Sequence, residues 1–147
     1  MKAILIAFVL LLASCGRGGT PNIQISDAWA RETVAGQSGT AAYATIANRG
    51  DGDDRLVSVS ATTPVTASLH ETSTNGAGVS SMRPLDDGIQ VPAGGRVMLR
   101  PGAAHIMISG LRSPLHQDEV LKLTLRFEHS GDRPVDFKVA PATSAGH

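Results

Sequence analysis

The sequence predicts an all-β domain, a sandwich of short strands with Greek-key connections. Three observations predict it. Apolar and polar residues alternate in short runs, and no long segment carries the helical period. Turn signals separate the runs, drawn from 16 Gly and 8 Pro in 147 residues. One run, Val120 to Glu128, alternates throughout. Leu121, Leu123, Leu125 and Phe127 share one face, and Lys122, Thr124, Arg126 and Glu128 share the other.

The elements follow in order. Ile23 to Trp29 is the first candidate strand. Thr40 to Ala47 is the second, closed by Asn48-Arg49-Gly50. Leu56 to Ala61 and Val65 to Glu71 flank Pro64. Asn75-Gly76 is a turn, and Val79 to Arg83 follows it. Ile89 to Val91 precedes Pro92-Ala93-Gly94-Gly95. Arg96 to Arg100 leads to Pro101-Gly102 and then to His105 to Ser109. After Val120 to Glu128, Arg133 to Val139 closes the domain, and residues 141–147 read as a loose tail.

The start of the chain reads as a targeting segment. Lys2 precedes an unbroken apolar run from Ala3 to Leu12, too short for an ordinary membrane-spanning helix. It ends Leu12-Ala13-Ser14-Cys15, which looks like a bacterial lipoprotein box. The Cys15 thiol would take up the diacylglyceryl group after removal of a signal peptide, residues 1–14. Residues 15–22 then form the lipidated N-terminus and a flexible tether, and residues 23–140 the domain. This expects an exported protein, lipid-anchored to a bacterial membrane, with its domain in the periplasm or cell envelope.

Composition excludes several function classes. Thirteen Lys+Arg balance 13 Asp+Glu, so there is no electrostatic footprint for nucleic acid. A single Cys makes neither an intrachain disulfide nor a Cys-based zinc cluster. No P-loop, dinucleotide-binding glycine motif or nucleophile elbow is present, and an enzyme is not expected.

Soft and borderline ligands gather in the middle of the chain. In His105-Ile106-Met107, strand alternation puts His105 and Met107 on one face, with Ile106 and Ile108 on the core side. A Met opposite the core needs a reason, and Cu(I) supplies one. This soft cation favours thioether and imidazole, and neither ligand is lost to disulfide formation in an oxidising compartment.

A family resemblance rests on these residues and their landmarks. Leu69-His70-Glu71, Met82-Arg83-Pro84, Val91-Pro92-Ala93-Gly94-Gly95, the run from Pro101-Gly102 to His105-Ile106-Met107, and Gly110-Leu111 resemble the periplasmic copper chaperone family PCu(A)C. So do Asp27-Ala28-Trp29-Ala30-Arg31, Ala42-Tyr43 with Asn48, and Asp54-Arg55-Leu56. The resemblance spans Ile23 to Val139. It implies a cupredoxin-like β-sandwich binding one Cu(I) at an exposed site whose ligands are His70, Met82, His105 and Met107. It also implies delivery toward the dinuclear copper centre of cytochrome c oxidase, directly or through a thioredoxin-like copper protein. Thr72 stands where many members have a further Met.

Other residues carry plainer expectations. Met98 alternates with Val97 and Leu99 and is assigned to the core or to the flank of the site. His116, His129 and His147 are surface residues, Trp29 and Tyr43 packing residues, and Asp54-Arg55 an ion pair or turn. A blue-copper electron carrier needs a Cys thiolate beside two His, which the domain lacks. The competing reading is a metal-free lipoprotein sandwich that binds protein or another ligand. It expects His70, Met82, His105 and Met107 to lie far apart.

Overall fold

A computed structural model of the chain describes residues 18–62 and 64–143. Cys15, the expected signal peptide and His147 lie outside the described residues. Among the described residues there is no helix. Ten strands follow one another: β1 (Ile23–Arg31), β2 (Gly39–Asn48), β3 (Asp54–Ala61), β4 (Thr66–Thr74), β5 (Ser80–Pro84), β6 (Ile89–Val91), β7 (Arg96–Leu99), β8 (Ala104–Ser109), β9 (Val120–Phe127) and β10 (Gly131–Ala140).

Hydrogen bonding links the strands in the order β5-β4-β8-β2-β1-β10-β9-β3-β6, with β7 also on β2. The β1–β10 pair is parallel and the other described pairs are antiparallel. The sheet folds over on itself into two layers, with β5-β4-β8-β2-β1 facing β10-β9-β3-β6. Strands β3 and β4 are not hydrogen-bonded to each other but meet where the layers close. The core lies between the layers. Ile46, Leu69, Leu99, Ile106 and Ile108 come from one side, and Leu56, Leu123, Leu125, Phe127 and Phe137 from the other. Full burial of each such side chain contributes roughly 1.5–3 kcal/mol. The β9 alternation is as the sequence predicts, with Leu123, Leu125 and Phe127 buried and Lys122 and Arg126 exposed.

Two features depart from a plain alternating pattern. In β1 the register against β2 shifts by one residue between Ser26 and Trp29, where Asp27 adopts φ 52°. This bulge changes which face each residue meets. Ile23 points inward before it, Ala30 after it, and Trp29 moves to the outer face beside Tyr43. The second departure concerns the expected tether. The Thr20 N–H donates to Asp51 Oδ1 at 2.8 Å, the Asn22 N–H to Asn48 Oδ1 at 3.0 Å, and the Arg49 N–H to the Asn22 carbonyl at 2.9 Å. A Cβ on Gly50 or Gly52 would collide with the backbone at Thr20 or Gly19. Residues 19–22 are therefore held against the β2–β3 turn.

The Arg55 and Asp54 side chains each serve a turn, and the Arg55 guanidinium pairs with Glu128 rather than with Asp54. Arg55 reaches Glu128 at 3.6 Å and the Asp87 carbonyl at 2.9 Å. Asp54 is buried, and its carboxylate accepts backbone N–H groups from Arg55 at 2.8 Å, His129 at 2.9 Å and Ser130 at 3.0 Å. Burial alone would raise its pKa. The hydrogen bonds from Ser130, His129 and Arg55 outweigh that and hold it below its ordinary value. One carboxylate thus fixes the β9–β10 turn onto the start of β3.

The ionised form is the one the fold binds. Its stabilisation is complete above about pH 4, the ordinary range of an unfolded Asp, and drains as pH falls through the lower folded value. Asp54→Asn should cost about 2–3 kcal/mol at neutral pH. It should also flatten the acid limb of the stability profile, as checked by denaturant melts from pH 7 to pH 3.

Candidate metal centre

The outer face of β8 carries the site because its inner face is committed. Ile106 and Ile108 are fully buried, so the pleat turns His105 and Met107 to the opposite side. Cross-strand register then decides their neighbours. His105 pairs with His70 on β4, and Met107 with Ser68. On the far side of β4, Thr72 pairs with Met82 on the edge strand β5. On the other side of β8, Ala41 pairs with Met107, and the same register sets Tyr43 opposite His105.

Three of the four predicted residues meet. His105 Nε2 lies 3.2 Å from Met82 Sδ, and the His70 and His105 rings lie 6.2 Å apart at 33°. Met107 shares their face one step along β8, but its methyl end leans toward Gly39, away from His105. Bringing it in requires a rotamer change of a thioether chain with three rotatable bonds. The expectation of four scattered residues does not describe this geometry.

Backbone contacts set the chemistry of His105. Its Nδ1 lies 2.9 Å from the Ala103 carbonyl, which only accepts, so Nδ1 carries the proton. In the neutral ring Nε2 is then a lone pair, aimed at the lone pairs of the Met82 sulfur. Two acceptors 3.2 Å apart have nothing to share unless a cation joins them. In His70, Nε2 lies 3.1 Å from Ser68 Oγ, and the buried Nδ1 has no hydrogen-bond partner. A buried nitrogen left bare costs stability and calls for an explanation. Imidazole nitrogen and thioether sulfur aimed at a common space suit a soft or borderline metal. Among the described residues, no three His, Cys, Asp or Glu gather in a group that could hold a metal.

The site is half enclosed. His105 is only 6% exposed, more buried than an outward-facing strand residue would suggest, whereas Met82 is 51% exposed. Tyr43 lies against His105 with ring centroids 6.5 Å apart, and Trp29 covers Tyr43 at 4.6 Å. Burial raises the Tyr43 pKa, and the Arg31 guanidinium, 6.0 Å from the ring centroid, partly offsets this. Trp29 and Tyr43 are thus packing residues, as expected, and they form the wall behind the imidazoles. His116 and His129 are exposed, also as expected.

Sequence reasoning missed the supporting contacts. The Ala103 carbonyl takes the Thr72 N–H at 3.1 Å as well as His105 Nδ1, tying β4 to the start of β8. Ser68 positions His70. Ser68 stands two residues before His70 on the same side of β4, a signal that alternation carries, whereas the Ala103 carbonyl belongs to a turn and leaves none.

The family described as "Putative lipoprotein LpqE-like" matches residues 23–139. The "Putative lipoprotein Lxx21020" of Leifsonia xyli subsp. xyli (strain CTCB07) is 34% identical over 123 residues, covering 84% of this chain and 72% of that protein. Among solved structures, the "Apo PCuAC domain from PmoF1" superposes with a TM-score of 0.66 at 25% identity, covering 81% of this chain and 93% of that one. The "Copper-bound PCuAC domain from PmoF2" gives 0.65 at 24%, covering 81% and 92%. Apo-DR1885 from Deinococcus radiodurans gives 0.57 at 24%, covering the whole of both chains. The chain therefore belongs to the LpqE-like lipoprotein family, a PCuAC-like family, and its fold is the cupredoxin-like β-sandwich.

Proposed function

We propose that this protein is an extracytoplasmic copper chaperone that binds Cu(I) through His70, Met82, His105 and Met107 and delivers it by ligand exchange. The observation that carries the reading is the approach of His105 Nε2 to Met82 Sδ at 3.2 Å, with Nδ1 tied to Ala103. The bare Nδ1 of His70 supports it. The likeness to a PCuAC domain whose structure holds copper supports it further.

The mechanism is exchange at an accessible ion, not catalysis. The ligands are neutral and lose no proton on binding. His70 and His105 are fixed by their backbone and Ser68 contacts, and Met82 lies on an exposed edge strand. A recipient's donor can approach from that side, its bond forming as a thioether bond breaks, so no free ion is released. The recipient in this reading is the dinuclear copper centre of cytochrome c oxidase, reached directly or through a thioredoxin-like copper protein. Acylation of Cys15 holds the domain at the membrane where that centre is assembled.

Competition with a chromogenic Cu(I) chelator should give one Cu(I) per protein. Met82→Leu with Met107→Leu should weaken binding by roughly 100-fold or more. Stability should fall by less than about 1.5 kcal/mol, because Leu and Met have similar volumes. Unchanged binding in this double variant removes the ligand assignment. The copper-loaded protein, mixed with the apo copper-centre subunit of the oxidase, should metallate it without measurable free Cu(I). Detergent phase partitioning checks the anchor. The wild-type protein should enter the detergent phase, and Cys15→Ser should remain in the aqueous phase.

A further inference from the structure

Strands β7 and β8 run along the same edge of β2. Leu99 pairs with Ala44 and Met98 with Thr45, and then, after an interruption, Ile106 pairs with Ala42 and Met107 with Ala41. The residues between, Arg100 to Ala103, leave the sheet as a turn. The Ala103 N–H donates to the Arg100 carbonyl at 3.2 Å, and the Arg100 N–H to the Ala104 carbonyl at 2.9 Å. The two strands therefore act as one interrupted strand, with His105 opposite Tyr43 and Met98 opposite Thr45. Tyr43 and Thr45 share a face, so Met98 and His105 do as well. Two residues along a strand span about 7 Å, which sets the Met98–His105 backbone spacing.

Along this outer face, Met98, His105 and Met107 thus form one file, with Met82 reaching His105 from the side. The sequence allowed Met98 a core position, but the structure places it elsewhere. Its neighbour Leu99 is buried, whereas Met98 is 49% exposed. A half-exposed thioether thus stands on the outer face, one step along from the His105 imidazole.

We infer that Met98 is a transfer ligand for Cu(I), resting on the copper reading above. It is not one of the resident ligands. Copper at the Met82–His105 pair forms a bond to the Met98 sulfur as a resident thioether bond breaks, and the ion passes one step along the file. Copper stays monovalent, no electron moves, and the neutral thioethers exchange no proton. Met98 thereby governs the rate at which copper enters and leaves, with little effect on how tightly it is held.

The test uses the protein labelled with ¹³C at its methionine methyls, titrated anaerobically with Cu(I) and, in parallel, with the redox-inert analogue Ag(I). The Met98 methyl should shift or broaden within the first equivalent, alongside those of Met82 and Met107. Met98→Leu should leave Cu(I) affinity within about twofold. It should slow copper withdrawal by bathocuproine disulfonate at least about fivefold, since the change acts on exchange rates. A Met98 methyl that stays still, with withdrawal as fast as in the wild type, overturns the inference while the copper site stands. A large affinity loss in Met98→Leu overturns it too, by making Met98 a resident ligand. If no methionine methyl responds to either ion, the copper reading itself has failed.

Discussion

The site depends on one packing constraint, the burial of Ile106 and Ile108. Both side chains are fully enclosed between the layers. A slip of β8 by one residue would expose both and drive His105 and Met107 into the core. Exposing the pair forfeits roughly 3–6 kcal/mol, against a typical domain stability of about 5–15 kcal/mol. The apolar core therefore fixes which way the imidazole and thioether point. Nothing in His105 or Met107 themselves needs to specify it.

The remaining geometry follows from how β2 is shared. Because β7 and β8 occupy one edge in succession, the chain between them must leave the sheet. The Ala103 carbonyl, freed from the β2 ladder by that departure, accepts from Thr72 and from His105. One backbone oxygen thus sets the tautomer of His105 and ties β4 beside it. Strand β5 then supplies Met82 from the sheet edge, where all five residues are exposed. The result is a rigid wall of imidazoles against aromatic rings and one open thioether side.

What was legible in the sequence was what alternation encodes. The faces of β8 and β9 follow from a period of two, and the split of His105 and Met107 from Ile106 and Ile108 needs nothing else. Turn residues placed most strand ends within a few positions, and Ile89–Val91 in full. Interactions between distant parts of the chain were not legible. Asp54 binds N–H groups some 75 residues away, and β1 pairs in parallel with β10, so neither leaves a local trace. The bulge at Asp27 adds a residue without interrupting the strand, so simple alternation runs past it. The meeting of His70 and Met82 with His105 is likewise a matter of register between strands. The family resemblance, not the pattern of residues, put those two into the ligand set.

Charge explains why the proposed cargo is a monovalent ion. His70, Met82, His105 and Met107 carry no negative charge, and His105 lies nearly out of solvent. The carboxylate on the neighbouring pair of β4, Glu71, faces the other side of the sheet and is tied to Arg83 at 2.6 Å. A divalent ion at this position would keep its full double charge in a partly desolvated place, at a cost that rises steeply with charge. Cu(I) brings one charge and a preference for soft donors that the thioethers meet. The absence of thiolate and carboxylate thus suits an ion that must be held and also released. Neutral donors give no large electrostatic well for a recipient to overcome, and the exposed thioether of Met82 leaves one side of the ion open to attack.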